Sequence, residues 1–141
     1  MKTLKTITAA VLTVVSFSAF AANGIRNDKL KLSYPAQTYV DAMAHGKINA
    51  LPEVLDKEIK YTTTHGKKIL SFNKAEMLKS IEGIRGVEQN CTTEYNVVES
   101  TPTISVVKVT MKYDGFSKIT YLNMANTADG WKITSIATSF I

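Results

Sequence analysis

The sequence predicts an α+β domain, in which helices from the first half of the chain pack against a strongly curved, mostly antiparallel β-sheet. The run from Thr103 to Phe140 has the β-branched and aromatic composition of three long strands. The first two of these strands meet at Asp114-Gly115, a turn typical of a β-hairpin. With 11 residues, Thr103–Tyr113 would extend about 36 Å as a strand. Strands of this length in a small domain must twist and bend, so the sheet is expected to curve around a cavity.

The first 21 residues have the composition of a cleavable signal peptide. Lys2 and Lys5 form a basic start, Ile7–Phe17 is mainly apolar, and Ala19-Phe20-Ala21 matches the small-residue pattern of a cleavage site. The apolar stretch is shorter than the about 20 residues of a membrane-spanning helix. We therefore expect cleavage after Ala21 and a periplasmic or secreted protein, with no membrane segment in the mature chain.

The mature chain is expected to keep 120 of the 141 residues, enough for one domain. We expect a flexible lead over residues 22–32 and a single domain over residues 33–141. The formal charge of +5 falls to about +3 without Lys2 and Lys5, which is too weak to indicate nucleic-acid binding. Cys91 is the single cysteine, so an intramolecular disulfide is excluded and the fold must depend on its core. We expect Cys91 within that core.

The first two helices are predicted before residue 56. Helix one begins near Ser33-Tyr34-Pro35, with a capping residue and a proline in its first turn, and Gly46 ends it. A second, shorter helical segment covers Lys47–Leu55, with Pro52 near its middle. Helix one is expected to bury the stripe formed by Ala36, Tyr39, Val40 and Met43.

The third helix has the clearest start signal in the chain. Asn73 can cap it, Glu76 follows three residues later as in a capping box, and Gly83 is expected to end it. Two short strands, Glu58–Thr64 and Lys68–Ser71, are predicted before this helix. The four long strands after it are expected over Gln89–Glu99, Thr103–Tyr113, Phe116–Asn126 and from Trp131 onward.

The hairpin turn predicts the register of the central strands, and therefore which side chains point inward. If Tyr113 pairs with Phe116, one face of the hairpin is clearly the more apolar, and we assign that face to the interior. Its predicted pairs are Met111 with Lys118, Val109 with Thr120, and Val107 with Leu122. The outer face keeps an apolar patch of Val106, Ile119 and Tyr121, which Ile136 is expected to join. Such patches often mark interfaces, so we expect a two-fold homodimer through this face.

This element order, with Thr120-Tyr121-Leu122-Asn123-Met124 before Asp129-Gly130-Trp131-Lys132-Ile133, resembles the nuclear-transport-factor-2-like superfamily, which has a cystatin-like fold. The closest resemblance is to its small exported bacterial members of the putative lumazine-binding or unknown-function type, and it covers about Ser33 to Phe140. The resemblance implies a cone, in which a strongly bent sheet wraps around three helices and an apolar pocket opens at the wide end. Members include isomerases, dehydratases, cyclases, ligand carriers and dimerisation modules, so the fold leaves the function open.

The isomerase type of that superfamily uses a carboxylate base with a tyrosine and a protonated carboxylic acid as donors. The interior that the register predicts contains tyrosines but no carboxylate. Asp41 lies on the opposite side of helix one from Tyr39, and Glu94 lies on the opposite strand face from Tyr95, so both acids are expected at the surface. Lys118 is on the inward face, where it is expected to extend to water or to pair with an anionic ligand.

The two histidines do not predict a metal site. His45 lies at the end of helix one, where the helix dipole favours a cation, and His65 lies in a turn. No cysteine or pair of acids accompanies either of them, so no metal and no cofactor is predicted.

The leading hypothesis is non-catalytic binding of a small apolar or amphiphilic ligand in the cone. The alternatives are an isomerase, dehydratase or cyclase that uses the pocket tyrosines with an acid or histidine, and a structural or interaction module with a filled cone. No catalytic residue is proposed. The expected pocket residues lie on the helix stripe or the inward strand faces: Tyr39, Met43, Tyr61, Tyr95, Val109, Met111, Leu122 and Trp131.

Overall fold

The computed structural model describes residues 28–141, so the predicted signal peptide and its cleavage site lie outside the described residues. Its helices are α1 (Ser33–His45), α2 (Leu51–Val54) and α3 (Lys74–Ile81), with short 3-10 turns at Ile48–Ala50 and Glu82–Ile84. Its strands are β1 (Leu55–His65), β2 (Lys68–Phe72), β3 (Thr92–Ser100), β4 (Ile104–Tyr113), β5 (Phe116–Thr127) and β6 (Gly130–Phe140). No helix within these residues is long and apolar enough to cross a membrane.

The six strands form one curved sheet in the order β2-β1-β6-β5-β4-β3. Neighbouring strands are antiparallel except β1 and β6, which are parallel, with Leu55 beside Ile133 and Thr63 beside Thr138. The predicted α+β class with a mostly antiparallel sheet is confirmed. The parallel pair joins the first strand to the last, a contact between distant segments that no local pattern indicates.

The predicted register of the central hairpin is confirmed. Tyr113 pairs with Phe116 across the turn, and their rings stack with centroids 4.7 Å apart and planes 5° from parallel. Met111 opposes Lys118 on the inward face. We call the end of the sheet that contains this turn the hairpin end. The last residue of β6, Phe140, lies there beside Lys118.

The outer apolar patch differs from the prediction at Ile136, which is 1% exposed and lies on the inward face beside Leu122. The cause is a bulge in β6: Asn123 opposes Ser135, but the next residue, Met124, opposes Ile133, so Thr134 is an extra residue. An extra residue reverses the side-chain alternation of a strand and bends it. The prediction that Ile136 belongs to the outer patch is therefore wrong.

The start of α1 also differs from the prediction. Leu32 occupies the capping position in helical conformation, and no side chain caps the helix, so Ser33 is not the cap. The preceding turn already supplies backbone bonds, because the amide of Tyr34 donates to the carbonyl of Lys31 at 3.1 Å. Pro52 lies in the first turn of α2, where a missing amide hydrogen costs little.

The capping box of α3 is confirmed in both directions. The amide of Glu76 donates to Oδ1 of Asn73 at 2.9 Å, and the amide of Asn73 donates to Oε2 of Glu76 at 2.8 Å. The α-helix ends at Ile81, and a 3-10 turn that contains Gly83 continues from it. The three helices cover the concave face of the sheet, and one hydrophobic core lies between the two layers.

The left-handed residue at the end of α1 tests how tightly this helix is held. Gly46 has a φ of 66°, and a Cβ there would lie 2.5 Å from the carbonyl oxygen of Ile84 and 2.5 Å from the amide nitrogen of Val87. Gly66 has a φ of 61° but open space around it.

We expect Gly66→Ala to lower the free energy of unfolding by about 1–2 kcal/mol. Gly46→Ala should lower the free energy of unfolding by at least about 3 kcal/mol, because overpacking adds to the backbone strain. Urea denaturation measures both changes, and equal costs would contradict the tight contact.

Candidate ligand-binding site

The eight residues predicted to line a pocket all lie in the hydrophobic core or pack against it. Four of them have at most 1% of their surface exposed: Tyr39, Val109, Met111 and Leu122. The other four are half-buried: Met43, Tyr61, Tyr95 and Trp131. A side chain with no accessible surface borders no void large enough for water. The middle of the cone is therefore filled by side chains, and any opening is bordered by the half-buried residues.

Trp131 lies at the end of the sheet opposite the hairpin end. It pairs with Asn126, next to the Thr127–Gly130 pair. A Cβ on Gly130 would lie 3.2 Å from the carbonyl oxygen of Lys29, so the residues before α1 close this end of the sheet.

The hydroxyl of Tyr39 is buried in the core without a hydrogen-bond partner in the described chain. The hydroxyls of Thr120 and Thr138 lie near it, but they bond each other, with 3.1 Å between the two oxygen atoms. Burial raises the pKa of Tyr39, and these two hydroxyls offset only part of that rise. Tyr39 therefore keeps its proton, and its hydroxyl has no partner at hydrogen-bonding geometry in the described chain, although the two threonine oxygens lie nearby.

Lys118 is a half-buried cation in the same inner wall. It lies between Met111 on β4 and Phe140 on β6, two residues before Thr120. Burial lowers the pKa of Lys118, and the neighbouring Cys91 opposes that change slightly. None of the ion pairs found within residues 28–141 includes this lysine.

Aromatic rings border the wall at the hairpin end. The ring of Phe116 stacks on Tyr113 and lies 6.4 Å from the ring of Phe140, at an angle of 46°. Phe116 and Phe140 are 45% and 51% exposed, although both are large apolar side chains. A cavity of about 510 Å³ opens beside them, lined by Thr64, His65, Gly66, Phe116, Ser139 and Phe140.

Tyr113 connects this aromatic rim to the single cysteine. Its hydroxyl lies beside the thiol of Cys91, and burial together with this neighbour raises the pKa of Tyr113. Cys91 is half-buried and packs against the core, in agreement with the prediction.

Asp41, Glu94 and His45 do not face the interior, whereas His65 lines the cavity at the hairpin end. Nδ1 of His45 lies 2.5 Å from a carboxylate oxygen of Glu88, and Asp41 accepts a hydrogen bond from Gln37 at 3.0 Å. Glu94 is exposed. The buried polar residues within 28–141 are instead all hydroxyl side chains: Thr38, Ser105, Thr110, Thr120 and Thr138. No group of three His, Cys, Asp or Glu side chains in this part of the chain could hold a metal.

The sequence alone did not indicate that Thr138 and Phe140 face inward. Both face inward only because of the bulge at Thr134, which shifts the alternation of β6. Thr120 was placed inward by the hairpin register, but its pairing with Thr138 requires β5 and β6 to be adjacent. No local sequence signal would have brought these two hydroxyls together.

Known proteins with similar structures include NTF-2 like and cystatin-like fold proteins, in agreement with the predicted fold. A family model described as "Putative lumazine-binding" matches residues 27–137. An NTF-2 like protein of unknown function from Silicibacter pomeroyi is 18% identical, with a TM-score of 0.67 over 78% of this chain and 92% of that chain. A ketosteroid isomerase-like protein from Erwinia carotovora atroseptica is 16% identical, with a TM-score of 0.58 over 78% and 93% of the two chains. A cystatin-like fold protein from Burkholderia xenovorans is 16% identical, with a TM-score of 0.61 over 78% and 88%. No curated protein matches the chain.

Removing the Tyr39 hydroxyl tests whether it lacks a partner. We expect Tyr39→Phe to leave the free energy of unfolding unchanged or to raise it by up to about 1 kcal/mol, because an unpaired buried hydroxyl is unfavourable. Thr120→Val is the matched control. It leaves the Thr138 hydroxyl unpaired and should lower the free energy of unfolding by about 1–3 kcal/mol. Urea denaturation gives both values, and a loss above about 1 kcal/mol for Tyr39→Phe would show that its hydroxyl is bonded.

Proposed function

Because the chain belongs to the family described as "Putative lumazine-binding" and is similar in fold to solved NTF-2 like proteins, we propose that it binds a small amphiphilic ligand at the hairpin end of its cone, without chemical change. The observation that supports this most directly is the cavity of about 510 Å³ beside the exposed rings of Phe116 and Phe140. Large apolar rings exposed to water are unfavourable, and a ligand in this cavity would cover them.

The shape of the hairpin end favours a flat ligand. The stacked rings of Tyr113 and Phe116 and the exposed ring of Phe140 offer apolar faces beside the cavity. Aromatic walls with a few polar groups are typical of small-molecule sites. The name of the family refers to lumazine, a flat fused ring, and such a ring has the apolar faces and polar edge that this wall would contact.

An enzyme of the isomerase type is the second candidate, and the ketosteroid isomerase-like relative is the reason to consider it. Tyr39 has the chemistry of the hydrogen-bond donor that such an enzyme needs. Proton abstraction also needs a base within about 3 Å of the substrate. The buried polar groups of the described chain are hydroxyls, so the base would have to come from a residue that lines the cavity, such as His65.

A titration with the neutral fluorescent probe N-phenyl-1-naphthylamine tests ligand binding. We expect the wild-type protein to bind it, and Met43→Trp to weaken binding about tenfold, since Met43 is half-buried one helical turn after Tyr39. If space exists, the larger ring should lower the free energy of unfolding by less than about 1 kcal/mol. Gln37→Trp, at an exposed position of the same helix, is the control and should leave probe binding unchanged.

The outcome also distinguishes a binding domain from a domain with a filled cone. If the wild-type protein does not bind the probe and Met43→Trp costs about 1–3 kcal/mol, the interior is a packed core. The ligand-binding proposal would then be wrong, and the interaction-module alternative would stand.

We further propose that the protein forms a two-fold homodimer through the outer face of the sheet, and that it acts after export. Val106 and Ile119 are half-buried there, and Tyr121, opposite Lys108, is 41% exposed. We expect Tyr121→Glu to give monomers in sedimentation, because a buried interface does not accommodate an unpaired carboxylate. Val87→Glu, at an exposed apolar position in the loop before β3 and off the sheet, is the control and should leave the dimer intact. A wild-type monomer at high micromolar concentration would contradict the proposal.

A further inference from the structure

Lys118 differs from the other lysines that contact the body of the domain. Nζ of Lys74 donates to the carbonyl oxygens of Pro52 and Leu55 at 2.9 Å each, and Nζ of Lys132 donates to the carbonyl oxygen of Glu53 at 2.6 Å. Lys118 has no such acceptor among the hydrogen bonds of residues 28–141, and no carboxylate pairs with it. It is thus a half-buried ammonium without a compensating group.

Lys118 has apolar side chains on two sides and hydroxyl groups on a third side. Met111 and Phe140 flank it across the two neighbouring strands. Thr120 follows it on the same inward face and bonds Thr138, close to the unpaired hydroxyl of Tyr39. A buried charge is unfavourable unless it is paired. The wall therefore combines one cation with hydroxyl groups, and none of the buried side chains in the described chain is a carboxylate.

We propose that Lys118 binds the anionic group of the ligand, so that the ligand class is an aromatic amphiphile with one carboxylate, sulfonate or phosphate group. This inference rests on the proposed binding function. Lys118 would pair with the anion, and the rings of Phe116 and Phe140 would cover the apolar body of the ligand. A charge-assisted contact in a water-poor wall is stronger than one at the surface.

Two probes that differ in one charged group separate this proposal from general apolar binding. 1-Anilinonaphthalene-8-sulfonate and N-phenyl-1-naphthylamine share the same aromatic body, but only the first has a sulfonate. We expect Lys118→Met to lower the affinity for the sulfonate probe about tenfold, equivalent to about 1.4 kcal/mol of binding free energy. The affinity for the neutral probe should change by less than about twofold. Lys118→Arg should keep the preference for the sulfonate. Lys112→Met, an exposed lysine at the same end of the hairpin but on the outer face, is the matched control and should change neither affinity.

The results distinguish the two proposals. In one outcome, the Lys118→Met variant binds the sulfonate probe as tightly as the wild type, while Met43→Trp still lowers the affinity for both probes. The anion proposal is then wrong, but the proposed binding site is supported. If the wild type binds neither probe, the proposed function itself fails. Lys118→Gln provides a second neutral variant of similar length, and circular dichroism spectra confirm that each variant is folded before its affinity is compared.

Discussion

The pairing of β6 with two neighbours is the constraint on which the rest of this structure depends. β6 lies between β5, which it pairs antiparallel, and β1, which it pairs parallel. The ladder with β1 joins the last strand to a strand that precedes α3, and together the two ladders close the sheet around the helices. The bulge at Thr134 then places Ile136, Thr138 and Phe140 on the inward face. The core, the buried hydroxyl pair and the aromatic rim all contain residues whose orientation follows from this bulge.

The inner wall at the hairpin end is less favourable for folding than the rest of the core. A tyrosine hydroxyl is fully buried there and a lysine is half-buried, and neither has a hydrogen-bond or ion-pair partner in the described chain. Purely apolar side chains at these positions would avoid the desolvation cost. Departures from good packing and full pairing tend to occur at functional sites. This contrast, more than the presence of any single residue, identifies the wall as the candidate site.

The similar structures establish the fold of this chain, whereas its chemistry has to be inferred from its own side chains. Domains with similar structures include proteins of unknown function and an isomerase-like protein, all at less than 20% identity. A shared fold at this distance says nothing about which side chains line the cone. In this chain those side chains supply donors and a cation, but the described interior has no buried carboxylate or histidine. Such a set suits recognition of an anion better than proton transfer.

The sequence by itself determined the elements whose causes are local. The turn at Asp114-Gly115 set the register from Tyr113–Phe116 to Val107–Leu122, and the capping box at Asn73 set the start of α3, because both depend on residues a few positions apart. It also placed most of the core, since alternation and helical stripes mark buried faces.

Only the tertiary structure decided the parallel β1–β6 pair, the bulge that moved Ile136 inward, and the meeting of Tyr39, Thr120 and Thr138. These features join residues from distant parts of the chain. These contacts are stabilised by the burial of apolar surface when the sheet closes over the helices. Because the contacting residues are far apart in the chain, no short-range sequence pattern indicates them.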